Sequence, residues 1–486
     1  MAGPLSSPVT QAGSLVRLLL PIILLIGAAL AVSRGLSTAR LDYALALATA
    51  IALFCLVFLR SEFGLYLVIL SMLLSPEFAI GGGGLAEGRS VVLRSEDFLL
   101  LVIAVSWLAK TAMNKEIGLV LKTPLNRPIM VYIAVTAIAT TLGYLTGSVR
   151  TSAGFFYVLK YVEYFFVYYM VVNNVTGREQ VKRLVAIAIV TAAIVSLVGI
   201  GQIPSGERVS APFEGETGEP NTFGGYMLFM MALLLGVGLE TYRLRLRAGA
   251  LALVALFTLP FLFTLSRASY LGLIPMMAVL ALLSRRRRMM AGVFLLLIVA
   301  SPAVVSLLPT PVVKRVLNTF QPEAGQASVR VGRLGLDPST SARFISFQGA
   351  INGWLRRPVL GWGVTGFGFM DAQYARTLVE TGLLGLAALL WLLWTVIRAG
   401  LTACRSLSDP DEHGLAVGFV AGTAGLLTHA IGSNTFIIVR IMEPFWLFAG
   451  IIVMLPMLDR AAEAPPTAAR RGFRPAVGRG PRVTPA

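Results

Sequence analysis

The sequence predicts an all-α, polytopic membrane protein, and three observations carry that prediction. Of 486 residues, 56% are hydrophobic and only 13% charged, against roughly half and about a quarter in soluble domains; the mean hydropathy is +0.78. The apolar residues gather into long runs, and a helix needs about 20 of them to cross a hydrocarbon core about 30 Å thick. Basic residues cluster in the short breaks between runs, as positive-inside topology requires. The apolar content excludes a disordered chain, and the lack of a glycine period excludes collagen. A disulfide scaffold is excluded because Cys55 and Cys404 are the only cysteines and lie far apart. In a soluble protein the formal charge of +17 would suggest nucleic acid. Here topology accounts for it, and nucleic acid is set aside as a partner.

About fourteen spans follow, centred near residues 24, 50, 70, 103, 137, 164, 192, 230, 256, 277, 298, 388, 423 and 446. The first lacks a compact basic region and a small-residue cleavage site, so it reads as a retained anchor. Arg60 breaks the second from the third, and Gly81–Gly84 reads as a flexible loop. The stretch Lys110–Arg127 precedes the fifth span, Arg178–Arg183 the seventh and Arg243–Arg247 the ninth. Arg285–Arg288 is a stop-transfer cluster after the tenth, and Arg398–Arg405 closes the twelfth. Placing Arg285–Arg288 in the cytoplasm puts all these loops inside, together with the Arg470–Arg482 tail and both termini.

Two long segments then fall outside: Ile203–Asn221, and the stretch from Pro309 to about Thr381. Long loops of this kind are usually functional or disordered. Within the second, Ser339 and Thr340 can cap a helix in which Phe344, Phe347, Ile351 and Trp354 recur at helical spacing until Pro358. This amphipathic helix is expected to lie on the membrane surface or on other helices. Its apolar face either packs the loop or grips substrate.

Topology explains arginine inside and leaves arginine outside unexplained. Arg208, Arg267, Arg343, Arg356, Arg357 and Arg376 all lie in or beside the outer segments. Guanidinium forks onto phosphate, so the group points to an anionic substrate, and a lipid-linked pyrophosphate resides at that face. Lys314, Arg315, Arg330 and Arg333 read as solvated charges. Arg267 sits in a very short break, Thr264–Tyr270, either as a snorkelling anchor or as a functional cation. Lys160 with Glu163, and Arg440 with Glu443, stand three apart and read as structural pairs. Neither His413 nor His429 has metal-ligand spacing, and no phosphate loop, nucleophile elbow or Walker motif is present. No metal or cofactor is expected.

Four segments, in order, resemble the O-antigen ligase and O-antigen polymerase superfamily of bacterial envelope glycan assembly. The first is Arg208-Val209-Ser210-Ala211-Pro212-Phe213 followed by Glu219-Pro220-Asn221, and the second is Leu265-Ser266-Arg267-Ala268-Ser269-Tyr270. The third runs from Arg343 to Trp354 and continues through Arg357-Pro358, Gly361-Trp362-Gly363 and Gly366-Phe367-Gly368. The fourth is Asp371-Ala372-Gln373-Tyr374 leading into Glu380-Thr381-Gly382. The resemblance covers roughly residues 200–400.

It implies a metal-independent membrane glycosyltransferase that takes a glycan from undecaprenyl pyrophosphate outside the bacterial inner membrane. Residues 1–200 would form an N-terminal helix bundle and 201–460 the catalytic membrane region, with a periplasmic loop at 309–381. Residues 461–486 would form a disordered basic cytoplasmic tail. Arg208 and Arg343 would clamp the pyrophosphate, supported by Arg267, with Asn221, Arg357, Tyr374 and Arg376 as further substrate-binding residues. Family ligases commonly carry a His-Asn pair where this chain has Asp371-Ala372. That departure favours a polymerase, joining one lipid-linked repeat unit to another, over a ligase that uses lipid A core. Asp371 would be the acceptor's general base or would only orient its hydroxyl, and Glu380 would cap or pair. The acceptor glycolipid, membrane lipids and other envelope polysaccharide assembly proteins are the implied partners. A lipid-linked oligosaccharide flippase or transporter ranks second, because its ionisable groups should lie at the midplane on two related halves. A non-catalytic scaffold ranks third.

Overall fold

The computed structural model describes residues 41–80, 91–113, 122–150, 153–213, 218–288, 292, 309–317, 330–331, 334–335, 337–368 and 370–463. The described chain is predominantly helical. Helices α1 (Leu41–Leu59), α2 (Ser61–Leu74), α3 (Ser95–Met113), α4 (Asn126–Leu145), α5 (Ala153–Asn174) and α6 (Arg178–Gln202) form the first half. They are followed by α7 (Pro220–Glu240), α8 (Leu244–Phe263), α9 (Arg267–Leu283) and the short α10 (Thr310–Leu317). The last four are α11 (Pro338–Arg356), α12 (Gln373–Ser406), α13 (Pro410–His429) and α14 (Val439–Glu463). Two small antiparallel pairs, Glu77–Ile80 with Val91–Arg94 and Arg330–Val331 with Leu334–Gly335, are additions to the expected all-α fold.

Twelve of the expected span centres fall inside these helices, while residues 24 and 298 lie outside the described residues. So do most of the basic tail and the Gly81–Gly84 run. Among the described helices, seven are long and apolar enough to cross a membrane: α4, α5, α6, α7, α8, α12 and α14. Their burial follows their apolar faces. In α7 and α14, 83% of the most apolar window is buried, against 22% in α8. A helix that is apolar all round and buried belongs at the centre of a bundle; α8 has its apolar surface left for lipid.

Small residues set the closest approach. Gly236 of α7 faces Gly414 and Gly418 of α13 backbone to backbone, with no room for a Cβ, the packing that membrane helices favour. The second backbone device is Gly382, which interrupts α12 at φ 67°, ψ −167°. The peptide groups freed there are taken up by the preceding segment, where Leu383 N donates to Pro358 O (2.9 Å) and Gly363 N to Glu380 O (2.8 Å).

The basic breaks share one end of the bundle. Arg285 donates to the carbonyls of Leu407 (2.9 Å) and Ser408 (3.3 Å), Arg178 pairs with Glu412 (3.2 Å) and with Asp459, and Arg243 lies 3.6 Å from Asp411. The opposite end carries the C-termini of α6 and α8, the N-termini of α7, α9 and α12, and helices α10 and α11. The expected cap of α11 is corrected. Asp337, not Ser339 or Thr340, is the N-cap and accepts from Thr340 N at 3.2 Å, with Pro338 in the first turn. Asp precedes a proline whose fixed φ already suits a helix start, so the helix begins earlier.

Candidate functional site

At the end away from the basic breaks, one cavity of about 240 Å³ is lined by Arg208, Asn221, Leu265, Arg267, Ala268, Arg315, Arg343 and Asp371. These residues come from six separate stretches. Arg208 lies in the segment after α6, Asn221 in the first turn of α7, and Leu265, Arg267 and Ala268 at the α8–α9 break. Arg315 is on α10, Arg343 on α11, and Asp371 just before α12.

The Thr264–Ser266 break organises the cavity wall. Leu265 takes a left-handed conformation, φ 49°, rare for a residue with a branched side chain and tolerated only where neighbours hold it. The turn frees carbonyls, and Arg208 takes them, with Nε donating to Thr264 O (2.9 Å) and Nη2 to Leu265 O (3.4 Å) and Asn221 Oδ1 (3.4 Å). Ser266 caps α9 and donates to Asn221 Oδ1 at 2.9 Å. Arg267 Nη2 pairs with Asp337 Oδ2 at 2.8 Å. Arg343 Nη2 pairs with Asp371 Oδ2 at 3.3 Å, both partners partly exposed to the cavity.

The loop carrying Asp371 is clipped from behind. Asn434 donates to Met370 O at 2.7 Å, Gln373 N donates to Ala430 O at 3.1 Å, and Phe436 N donates to Gln373 Oε1 at 2.9 Å.

Electrostatically the cavity is an anion trap. Four guanidinium groups and one carboxylate line it, and with Asp337 behind Arg267 the formal sum is four positive and two negative. Burial, then the neighbouring Arg315, Arg267 and Arg343 charges, lower the pKa of Arg208 to about 10. Burial, with the Arg267 and Arg343 charges, also lowers that of Arg315. Both remain charged at neutral pH, and cations crowded out of water gain most when an anion enters.

The structure thus brings together Arg208, Asn221, Arg267, Arg343 and Asp371 and sets three other candidates apart. Arg357 donates to Thr146 and Ser148 hydroxyls, both at 3.0 Å, and stacks over Trp362 at 4.2 Å. Arg376, 7% exposed, pairs with Glu380 at 3.1 Å and lies over Tyr157, while Glu380 also accepts from Thr365 N. Tyr374 donates to Leu427 O at 2.7 Å. Arg315, read from sequence as a solvated charge, lines the cavity instead. The octet Thr310–Leu317 buries Val312 and turns Arg315 inward, an amphipathic pattern too short to be distinctive in the sequence. His429 is fully buried and does not line the cavity; its Nδ1 shares a 2.7 Å hydrogen bond with Thr435.

Among the described residues, no three His, Cys, Asp or Glu side chains converge as metal ligands. Lys160 pairs with Glu163 at 3.0 Å and also with Asp97. The Arg440–Glu443 expectation is corrected: Arg440 donates to main-chain carbonyls, and both Glu443 oxygens are buried without a hydrogen-bond partner among the described residues.

Residues 251–390 match the family described as O-antigen ligase. That stretch includes the α8–α9 break and the residues Arg267, Arg315, Arg343 and Asp371. No curated protein matches the chain.

Proposed function

We propose, from the premise that this is an integral membrane protein of the O-antigen ligase and polymerase superfamily, that it transfers a glycan from a polyprenyl pyrophosphate to a second lipid-linked repeat unit. One observation carries the reading: four arginines from separate elements converge on one small cavity with a single carboxylate at its edge. A pyrophosphate diester bears one negative charge on each phosphate, which complements the excess of positive charge there. Breaking the sugar–phosphate bond adds charge to the leaving group. Fixed guanidinium groups in a water-poor site stabilise that charge more than they stabilise the ground state.

Arg208 and Arg343 act as the clamp. Arg208 is pre-oriented by two carbonyls and Asn221, and Arg343 stands 3.3 Å from Asp371. Arg267 and Arg315 complete the positive wall. Asp371 accepts the hydrogen bond of the incoming sugar hydroxyl and takes its proton as the new bond forms. The pairing with Arg343 makes orientation its larger contribution. The cavity faces the periplasm and the basic breaks face the cytoplasm, which follows from positive-inside topology.

The polymerase reading is preferred to a ligase because Asp371 stands where family ligases commonly place a histidine. The test is reconstitution in detergent with undecaprenyl-pyrophosphate-linked repeat units and chelator, products being resolved by chain length. A ladder of longer glycans, abolished in Arg343→Ala, is expected. Transfer only when lipid A core is supplied would make the protein a ligase. Full activity of Arg343→Ala would overturn the clamp.

A further inference from the structure

We infer that Arg440 is a positioning residue for the anion clamp: from beneath, it holds the main chain at Pro212 and Phe213 and so sets where Arg208 stands. The inference rests on the reading of Arg208 as part of the clamp. Arg440 lies in the first turn of α14 and is fully buried. Its Nη1 donates to Pro212 O at 2.7 Å, and its Nη2 donates to Phe213 O and Ser75 O, both at 3.3 Å. A charge placed inside a membrane bundle is costly and is retained where it does something. This one is directed at carbonyls that belong to the cavity segment and to the end of α2.

The segment needs such a hold. Upstream it is fixed by Val209 N to Phe263 O (3.0 Å) and by Ser210 N to the side chain of Gln202 (3.0 Å). Downstream, Phe213 takes the left-handed conformation at φ 63°. The residue is 57% exposed, so burial does not impose that turn, and residues with side chains adopt it only where the surroundings over-determine it. The clasp on the carbonyls to either side of the Phe213 Cα supplies that constraint. Arginine suits the task because its planar fork spans several acceptors at once, whereas a lysine ammonium is a single point.

The experiment measures the affinity of the purified full-length protein for inorganic pyrophosphate, with melting temperature recorded alongside. Arg208→Ala and Arg440→Lys are compared singly and combined. Arg440→Lys is expected to weaken binding on the order of tenfold, and the double variant to bind no worse than Arg208→Ala alone, since coupled residues are not additive. A merely structural arginine would lower the melting temperature without this coupling. Wild-type affinity in Arg440→Lys, or losses that multiply, overturns the inference. Unchanged binding in Arg208→Ala would instead remove the clamp reading beneath it. Should Arg440→Lys not accumulate, Phe213→Pro decides. Proline cannot take a positive φ, so with Arg440 intact this surface change should reproduce the loss, and wild-type affinity would overturn the inference.

Discussion

Asp337 joins two helix starts through one carboxylate: its Oδ1 caps α11 by accepting from Thr340 N, and its Oδ2 pairs with Arg267 at the first residue of α9. The pair ties the break between α8 and α9 to the helix that carries Arg343. Asp337→Asn keeps a capping acceptor and removes the charge that orients Arg267. Transfer should fall on the order of tenfold with little change in melting temperature. Asp337→Ala should lose the same activity and in addition about 1 kcal/mol from the missing cap. Steady-state transfer rates and thermal unfolding in detergent separate the two effects.

Arg315 is the second prediction. Its charge is among the causes that depress the pKa of Arg208, so it belongs to the same electrostatic group. Arg315→Ala should weaken pyrophosphate binding on the order of tenfold, less than Arg208→Ala or Arg343→Ala, for which losses of about 10²–10³ in transfer rate are expected. A solvated arginine at this position would leave the affinity unchanged.

The lowered pKa of Arg208, about 10, sets a pH window. A base whose folded pKa is depressed is disfavoured by folding while charged. That penalty is present at neutral pH and is relieved as pH rises past about 10. Anion binding has the opposite sign, because it needs the charged form. Pyrophosphate affinity should therefore hold steady from neutral pH upward and fall as pH passes through about 10. Stabilisation of the protein by pyrophosphate should vanish over the same range.

The helical half of this architecture was legible because apolar run length and basic breaks report directly on membrane crossing. What the sequence hid was distance. Arg357 and Arg376 lie in the same outer region as Arg343. Yet Arg357 reaches Ser148 across 209 positions, and Arg376 finds Glu380 one turn away. The hydropathy pattern distinguishes neither from a cavity arginine. The opposite error befell Arg315, whose octet is too brief for its buried side to stand out. Gly382 was legible only as part of a resemblance; its reason is a broken helix whose left-handed turn leaves no room beside Val359 O. Arg376→Ala should cost roughly 3–5 kcal/mol by stranding buried Glu380, seen as a lower melting temperature with pyrophosphate affinity retained in the folded fraction.

The last prediction concerns the hold on Asp371. Asn434 is buried, and its side-chain amide donates to the carbonyl of Met370, the residue before Asp371. No other side chain among the described residues is seen to grip that peptide, so the hydrogen bond fixes the direction in which Asp371 leaves the chain. Asn434→Ala leaves a buried carbonyl without its donor, at about 1–3 kcal/mol. It also lets the carboxylate drift from Arg343, already at 3.3 Å. A displacement of about 1 Å in a positioning group can cost on the order of 10²-fold in rate. The transfer rate of Asn434→Ala should therefore fall further than its stability explains, while pyrophosphate affinity, which rests on the arginines, stays near wild type. Equal losses of rate and anion affinity would mean that Asn434 supports the whole cavity rather than Asp371.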